Sequence, residues 1–177
     1  MLLFCRTMLV SCNLDEDNEE YPQGEEMYRG LTILHLTCVF DQDHIMKYFL
    51  RFGLTSSLNA KTMKRQSLMH ICAWYGTYNT MNLLVRHGVS VEEKNESGHF
   101  AIHLASMKGH YICLQSLLKA GADPNAGDND GNTALHSAVV HDQIECAEEL
   151  FKFEDVSMKI KRVWKIRKFI AHSAELL

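Results

Sequence analysis

The sequence predicts an all-α solenoid, in which helix-turn-helix units stack side by side and β-hairpin fingers project between them. One observation is a recurring histidine: His70, His103 and His136 are spaced by 33 residues, and His35 precedes His70 by 35. Another is a glycine five residues before three of these histidines, where the remaining copy has Arg65 instead. A period of 33 residues kept over four copies is typical of stacked repeat proteins.

Each of these histidines, the ladder histidines below, ends a tetrad that predicts the start of a short helix. The tetrads are Thr32-Ile-Leu-His35, Ser67-Leu-Met-His70, Phe100-Ala-Ile-His103 and Thr133-Ala-Leu-His136. A Thr or Ser at the first position can cap the helix by accepting an otherwise unpaired N–H group. A second helix follows in each unit, predicted from apolar residues at helical spacing. These residues are Ile45, Phe49, Leu50, Leu84, Val85, Leu114, Leu117, Leu118, Leu150 and Phe151.

A glycine follows three of the ladder histidines after eighteen residues, as Gly53, Gly88 and Gly121. Glycine at this place favours a left-handed residue that ends the second helix. The polar segment that leads to the next tetrad predicts a finger. Two extra residues between Gly53 and His70 predict a longer finger in the second unit. No unit can bury its apolar face alone, so stacking must close the core.

Two stretches resemble the ankyrin repeat: Gly131-Asn-Thr-Ala-Leu-His-Ser-Ala138 and Leu117-Leu-Lys-Ala-Gly-Ala-Asp-Pro-Asn-Ala126. The resemblance implies paired antiparallel helices with fingers at right angles, in a curved stack. It divides the chain into four repeats, at about residues 27–59, 60–94, 95–127 and 128–154.

The sequence departs from the family pattern in two respects. The tetrads lack the usual proline, and Asp41 and Asp142 stand where the inner repeats have Gly76 and Gly109. Because the divergent repeats are at the two ends, we expect them to cap the stack with polar outer faces.

Composition limits the classes of function. A net charge of −4 argues against direct binding of nucleic acid. No stretch approaches the roughly 20 apolar residues of a membrane span, and Arg6 interrupts the short apolar run at the N-terminus, so we expect no signal peptide. The six cysteines have no CxxC pair and occupy small apolar repeat positions, which favours core thiols over a disulfide framework. These features predict a soluble, monomeric protein of the cytoplasm, with the nucleus as a second compartment.

We expect residues 1–26 to be an acidic N-terminal tail or cap. Asp15 to Glu26 carries seven acidic residues and no basic one, which is typical of a solvated tail. The other interpretation is an acidic arm that contacts a basic partner or the protein's own basic end.

Residues 155–177 predict a basic amphipathic helix that caps the last repeat. Two alternatives for this segment are a nuclear-import or acidic-contact patch at 159–168 and a degenerate SOCS box. Ser157-Met-Lys159 and Lys165-Ile-Arg-Lys168 resemble the opening of that box, but its leucine and cysteine anchors and its second half are absent.

Ten histidines raise the question of a metal or catalytic site. In the family that the chain resembles, the ladder histidine is structural. Adjacent ladder members would also lie about 10 Å apart, which is too far to share a metal. Because no metalloprotease, phosphate-loop or nucleophile motif appears, we predict no enzyme, no cofactor and no metal site.

The resemblance implies a concave face lined by residues four and five after each ladder histidine and by the fingertips. Trp74 and Tyr75 are predicted to face solvent there as partner anchors, the alternative being that they pack beneath the neighbouring fingers. The fingers also pass from basic to acidic along the stack, which favours one orientation of a charged partner. The predicted partner-binding residues are Phe40, Lys64, Arg65, Trp74, Tyr75, Glu96, His99, Met107, Lys108, Asp130 and His141.

The predicted function is a non-catalytic protein–protein interaction module that holds one or more partner proteins on its concave face. Two narrower hypotheses stay open. The chain resembles the short inhibitor-of-κB-like ankyrin proteins, which sequester Rel-type transcription factors. With a degenerate SOCS box, it would instead be a substrate adaptor of a ubiquitin ligase.

Overall fold

The computed structural model describes residues 31–152. Within that range the chain forms eight α-helices and one 3-10 turn, at Leu54–Asn59. The helices are α1 (Ile33–Val39), α2 (Asp43–Arg51), α3 (Leu68–Tyr75), α4 (Tyr78–Arg86), α5 (Ala101–Lys108), α6 (Tyr111–Lys119), α7 (Ala134–Val140) and α8 (Ile144–Leu150).

The helices form two layers, as a solenoid requires. The odd-numbered helices, which carry the ladder histidines, pack on one another in chain order, and the even-numbered helices do the same. Each odd helix also packs on the even helix that follows it. The predicted all-α solenoid is therefore confirmed. The tail at 1–26, the segment at 155–177 and the import and SOCS-box hypotheses lie outside the described residues.

One continuous core runs through the stack from α1 to α8. Cys38, Cys72, Cys113 and Cys146 belong to it as free, buried thiols, as the repeat positions predict. Burial raises the pKa of the Cys113 thiol to about 12 and that of Cys146 to about 11. These side chains therefore act as small apolar groups in the core.

The ladder histidines act as helix caps. The backbone N–H of the first tetrad residue donates to the histidine Nδ1, at 3.1 Å for Thr32, 3.2 Å for Ser67, 3.3 Å for Phe100 and 2.9 Å for Thr133. The histidine is the third helical residue, where a capping box usually has Glu or Gln. In three repeats the tetrad hydroxyl also lies 2.8–3.0 Å from the same ring nitrogen. The third repeat replaces that hydroxyl with the Phe100 ring, which stacks on His103 at 5.7 Å.

The other ring nitrogen of the histidine joins neighbouring repeats. Nε2 of His70 lies 2.9 Å from the carbonyl oxygen of His99, and Nε2 of His103 lies 2.9 Å from that of Asn132. Because a carbonyl can only accept, Nε2 carries the proton in both rings. Nδ1 accepts from a backbone N–H, so both imidazoles are neutral.

His35 is the weak member of the ladder. Its side chain is fully buried, yet its Nε2 has no hydrogen-bond partner among the described residues. The carbonyl of Gln66 stands where His99 and Asn132 supply the acceptor for the next two ladder histidines. It raises the pKa of His35, but by less than burial lowers it. Burial lowers the pKa of His35 from 6.5 to about 4.

The fingers are short turns. A backbone N–H at the start of each finger donates across its base: Thr62 to Gln66 at 3.0 Å, Asn95 to His99 at 3.0 Å and Asp128 to Asn132 at 2.9 Å. A second backbone bond lies within each turn, at 2.8–3.2 Å. No β-strand occurs between residues 31 and 152, so the β-hairpins of the sequence prediction are reduced to their turns in this part of the chain.

The insertion in the second repeat does not lengthen its finger. Thr62, Asn95 and Asp128 each begin their turn eight residues before a ladder histidine, so the three tips correspond. The two extra residues are accommodated earlier, at the 3-10 turn Leu54–Asn59. The expectation of a longer finger was therefore wrong. The two extra residues lengthen the connection that follows α2, before the finger begins.

The outer face of the first repeat is apolar, which corrects the expectation of a polar cap. Leu36 and Ile45 are 38% and 45% exposed on this face. Ile45 was predicted to point into the core, but its neighbour Met46 is the buried residue, with no exposed surface.

The lowered pKa values of the ladder histidines predict that acid destabilises the stack. Burial lowers the pKa of His70, His103 and His136, as it does that of His35. Below pH 6.5 these histidines bind protons in the unfolded chain but not in the folded state. The free energy of unfolding therefore falls as the pH drops from 6.5 toward 4. His35 alone should lower the free energy of unfolding by about 1.4 kcal/mol at a pH one unit below the pKa of the histidine in the unfolded chain. Urea unfolding across this range measures the loss.

The variant His35→Gln isolates one of these groups. It removes a single buried titrating ring, so its stability should fall less steeply with pH than that of the wild type. Ile112→Ser, at an exposed residue that does not titrate, serves as the control and should keep the wild-type slope. An unchanged slope in His35→Gln would show that the buried ring is not the source of the acid sensitivity.

Arg65 predicts a stabilising substitution. Its φ of +56° is a left-handed conformation, where the other two fingers have Gly98 and Gly131 at +77° and +78°. A residue with a Cβ is strained there, so Arg65→Gly should raise the free energy of unfolding by about 0.5–1 kcal/mol. Gly131→Ala is the matched reverse change: no atom lies within 4 Å of its new Cβ, so only backbone strain should lower stability. Equal stability of Arg65→Gly and wild type in thermal melts would contradict the strain.

Candidate protein-interaction surface

The residues at the ends of the odd-numbered helices form a row across the four repeats, which we call the helix-end row. It consists of Val39 and Phe40, Trp74 and Tyr75, Met107 and Lys108, and Val140 and His141. The capping histidines fix where each of these helices begins, and a residue with positive φ follows each helix end. The row is therefore presented on rigid elements, as a binding surface requires.

Exposure is uneven along the helix-end row. Phe40 and Val140, in the first and last repeats, are 68% and 65% exposed, which is unusual for large apolar side chains. Lys108 and His141 are exposed as well, whereas Met107 is half-buried. Two apolar anchors thus lie at the ends of the row, with polar groups beside the partly covered centre.

Trp74 and Tyr75 are less exposed to solvent than the sequence analysis expected. Both are half-buried and pack against the core. The Lys108 ammonium lies 3.9 Å from the centre of the Trp74 ring, a cation–π contact from the next repeat. His110 Nε2 donates to the Trp74 carbonyl at 3.0 Å. Trp74 is therefore tied to the third repeat by both ring and backbone.

The fingertips pair with one another. Lys61 of the second finger lies 3.3 Å from Glu93 of the third. The Glu96 N–H donates to the Lys64 carbonyl at 3.1 Å, and the Asn129 side-chain amide donates to the Glu96 carbonyl at 3.3 Å. Part of the predicted passage from basic to acidic fingers is therefore internal complementarity between neighbours. Arg65, Glu96 and Asp130 are exposed at the tips.

His99 contributes mainly to the structure of the fingers. Its N–H donates to the Asn95 side chain at 2.9 Å, and its Nε2 lies 3.5 Å from an Asp128 oxygen. Burial of Asp128 opposes its ionisation, but hydrogen bonds from the Asn132 backbone, the Asn132 side chain and Asp130 N–H hold its pKa below the usual value. His99 thus links two fingers through a carboxylate that stays ionised.

Met63 is a surface residue that the sequence analysis missed. It lies at the tip of the second finger and is 66% exposed. Its position one residue after the start of the turn, between Lys61 and Lys64, is the signal that could have found it.

Within residues 31–152, no group of three His, Cys, Asp or Glu side chains is arranged to hold a metal ion. In the same range, no helix is both long enough and apolar enough for a bilayer crossing. The chemistry that this surface offers is the burial of apolar side chains and the pairing of charges, which is the chemistry of protein–protein contact.

Stacked helix pairs, a ladder of capping histidines and projecting turns are the features of an ankyrin stack. The family model for ankyrin repeats, in three copies, matches residues 69–161, which is more than half of the chain. The protein therefore belongs to the ankyrin repeat family, whose members are generally protein–protein interaction modules and typically lack catalytic activity. A comparison with curated proteins gives no match. The first repeat precedes the matched residues and is defined by its histidine and its fold.

The contacts of Trp74 predict a structural cost for its removal. Trp74→Ala should lower the free energy of unfolding by about 2 kcal/mol, because it removes half-buried packing and the cation–π contact. Lys108→Ala loses only that contact and should cost about 0.5 kcal/mol. Phe40→Ala, at an exposed position, should stay within about 0.5 kcal/mol of the wild type. Denaturant unfolding of the three variants tests this order, and a neutral Trp74→Ala would restore the solvent-facing interpretation.

Proposed function

We propose that the chain is a non-catalytic module that binds a partner protein along the helix-end row, with Phe40 and Val140 as the apolar anchors. The supporting observation is that these two side chains are about two-thirds exposed, one in the first and one in the last repeat of the row, five and four residues after their ladder histidines. Transfer of a large apolar side chain from water into an interface stabilises a complex by about 1.5–3 kcal/mol.

The rigidity of the stack favours such a role. Each odd helix is fixed at its start by its histidine cap. The anchors therefore lose little conformational freedom on binding, which lowers the entropic cost of the complex. An affinity that rests on two separated anchors also requires a partner that spans the row.

Charges around the row would set the orientation of the partner. Lys108 and His141 lie beside the apolar positions, and the exposed tips carry Arg65, Glu96 and Asp130. Charged groups at the rim of an interface affect specificity and association rate more than affinity. A partner with an acidic group opposite Arg65 and a basic group opposite Asp130 would meet both.

The two narrower hypotheses, an inhibitor of a Rel-type factor and a ubiquitin-ligase adaptor, are special cases of this proposal. The SOCS-like stretch that motivates the adaptor lies in 155–177, outside the described residues. No contact within residues 31–152 favours either hypothesis, so the proposal stays with the module itself.

The test compares partner capture by the wild type and by the double variant Phe40→Ser/Val140→Ser. If each anchor contributes about 1.5 kcal/mol, the double change should weaken binding of a captured partner by roughly 100-fold or more. Quantitative mass spectrometry of captured proteins identifies the partner, and a titration then gives the affinity. Both sites are exposed, so thermal stability should hold.

Ile112→Ser is the matched control, because Ile112 is 59% exposed on α6, an even-numbered helix outside the row. It should leave partner capture unchanged. Equal loss of binding in the control, or none in the double variant, would place the partner elsewhere on the stack.

A further inference from the structure

The first repeat exposes an apolar face that the inner repeats bury. Leu36 is 38% exposed, whereas Ile71 and Leu104, at the same position in the second and third repeats, are 3% and 2% exposed. Each inner repeat receives its predecessor on this side. The first repeat has no predecessor among residues 31–152.

The second layer shows the same contrast. Ile45 on α2 is 45% exposed, and the equivalent Thr80 and Cys113 are 0% and 1% exposed. Tyr48 on α2 and Phe52 just after it lie on the same side as Ile45. They are 41% and 51% exposed, and their ring centroids lie 4.4 Å apart. We call the surface formed by Leu36, Ile45, Tyr48 and Phe52 the leading face.

Positive charge runs beside the leading face. Lys47 and Arg51 are exposed on α2 at positions adjacent to the apolar stripe. The acidic group on the same helix is Asp43, which pairs with Lys47 at 2.5 Å. The helix thus carries two cations and one acidic group beside the apolar stripe, so a segment that covers this surface should combine apolar residues with acidic ones.

We propose that the chain's own residues 1–26 cover the leading face, with the apolar run at 1–10 against Leu36 and Ile45 and the acidic run at 15–26 along Lys47 and Arg51. The composition fits: residues 1–10 include Leu2, Leu3, Phe4, Met8, Leu9 and Val10, and residues 15–26 include seven acidic residues and no basic one. The order of apolar and acidic runs supplies both chemistries that the face requires.

Chain connectivity supports this occupant over a separate partner. Leu31, where the described chain begins, is buried in the first repeat, with 5% exposure. Four residues, 27–30, join it to the acidic run. A tether this short gives the segment an effective concentration in the millimolar range at the face, which a free partner rarely reaches. This proposal does not depend on the helix-end row.

Photo-cross-linking in the full-length chain tests the occupant directly. With a benzophenone amino acid in place of Tyr48, irradiation should give an intramolecular cross-link to a peptide within residues 1–26. The same amino acid in place of Ile112, an exposed apolar position on α6, is the matched control and should give no cross-link to that segment. Cross-linked dimers, or no cross-link from position 48, would overturn the proposal in favour of a second copy or an uncovered face.

A thermal double-mutant cycle adds an independent measurement. Leu2, Leu3 and Phe4 changed together to Ser, or Ile45→Ser alone, should each lower the Tm of the full chain by about 4 °C, because each removes the same apolar contact. The decrease in Tm of the combined variant should be clearly smaller than the sum of the decreases of the two separate variants. Full additivity, or an unchanged Tm in either variant, would show that segment and face do not touch. Capture by the helix-end row should be unaffected by these changes, so failure here is distinguishable from failure of the proposed function.

Discussion

The stack depends on a neutral imidazole held between two backbone groups. Nδ1 of each ladder histidine accepts from the N–H that opens its own helix, and Nε2 of His70 and His103 donates to a carbonyl in the next finger. Helix start and repeat spacing are therefore set by the same ring, and only the tautomer protonated at Nε2 satisfies both bonds. This constraint explains why the histidine recurs, since no other side chain offers an acceptor and a donor across a flat ring at that separation.

The residue that ends each odd helix is decided by the repeat that follows. A Cβ at Gly76 would lie 2.5 Å from the His110 ring, which is held by the Trp74 carbonyl, so the second repeat has no room for a side chain there. At Gly109 the nearest atom is the end of the flexible Gln143 side chain, and the φ of +75° is what favours glycine. Asp41 adopts the same left-handed backbone, with φ +49°, and uses its side chain. One of its carboxylate oxygens accepts from the Thr80 N–H and hydroxyl, both at 2.9 Å, and so caps α4. The departure from glycine in the first repeat is thus a cap across two repeats.

Sequence periodicity was sufficient for the helices, the ladder and the buried thiols, because each of these is fixed by a residue type at a constant interval. It failed where the neighbouring repeat decides the outcome. Trp74 and Tyr75 were predicted to be solvent-facing from their register alone, but the Lys108 contact that partly covers Trp74 comes from a residue 34 positions later. Ile45 was assigned to the core for the same reason, since helical spacing does not say which end of a stack lacks a neighbour. The extra residues after Gly53 could be counted but not placed, because a connection can absorb length before the turn as easily as within it.

The two apolar surfaces of the stack differ in a way that separates their roles. Phe40 and Val140 lie at the two ends of one row. Between them, Lys108 packs over the Trp74 ring and partly covers it, so the row presents two separated apolar anchors. The leading face instead repeats an interface that the inner repeats complete, as Ile71 and Thr80 show by being buried. An exposed apolar face of this kind lowers the solubility of a solenoid unless a segment with a polar outer surface covers it. Leu36 of the leading face and Phe40 of the helix-end row are one helical turn apart along α1, so the two surfaces border each other at the first repeat, whereas Val140 lies at the other end of the row. Covering from within the same chain would therefore fix the edge of the surface that is available to a partner.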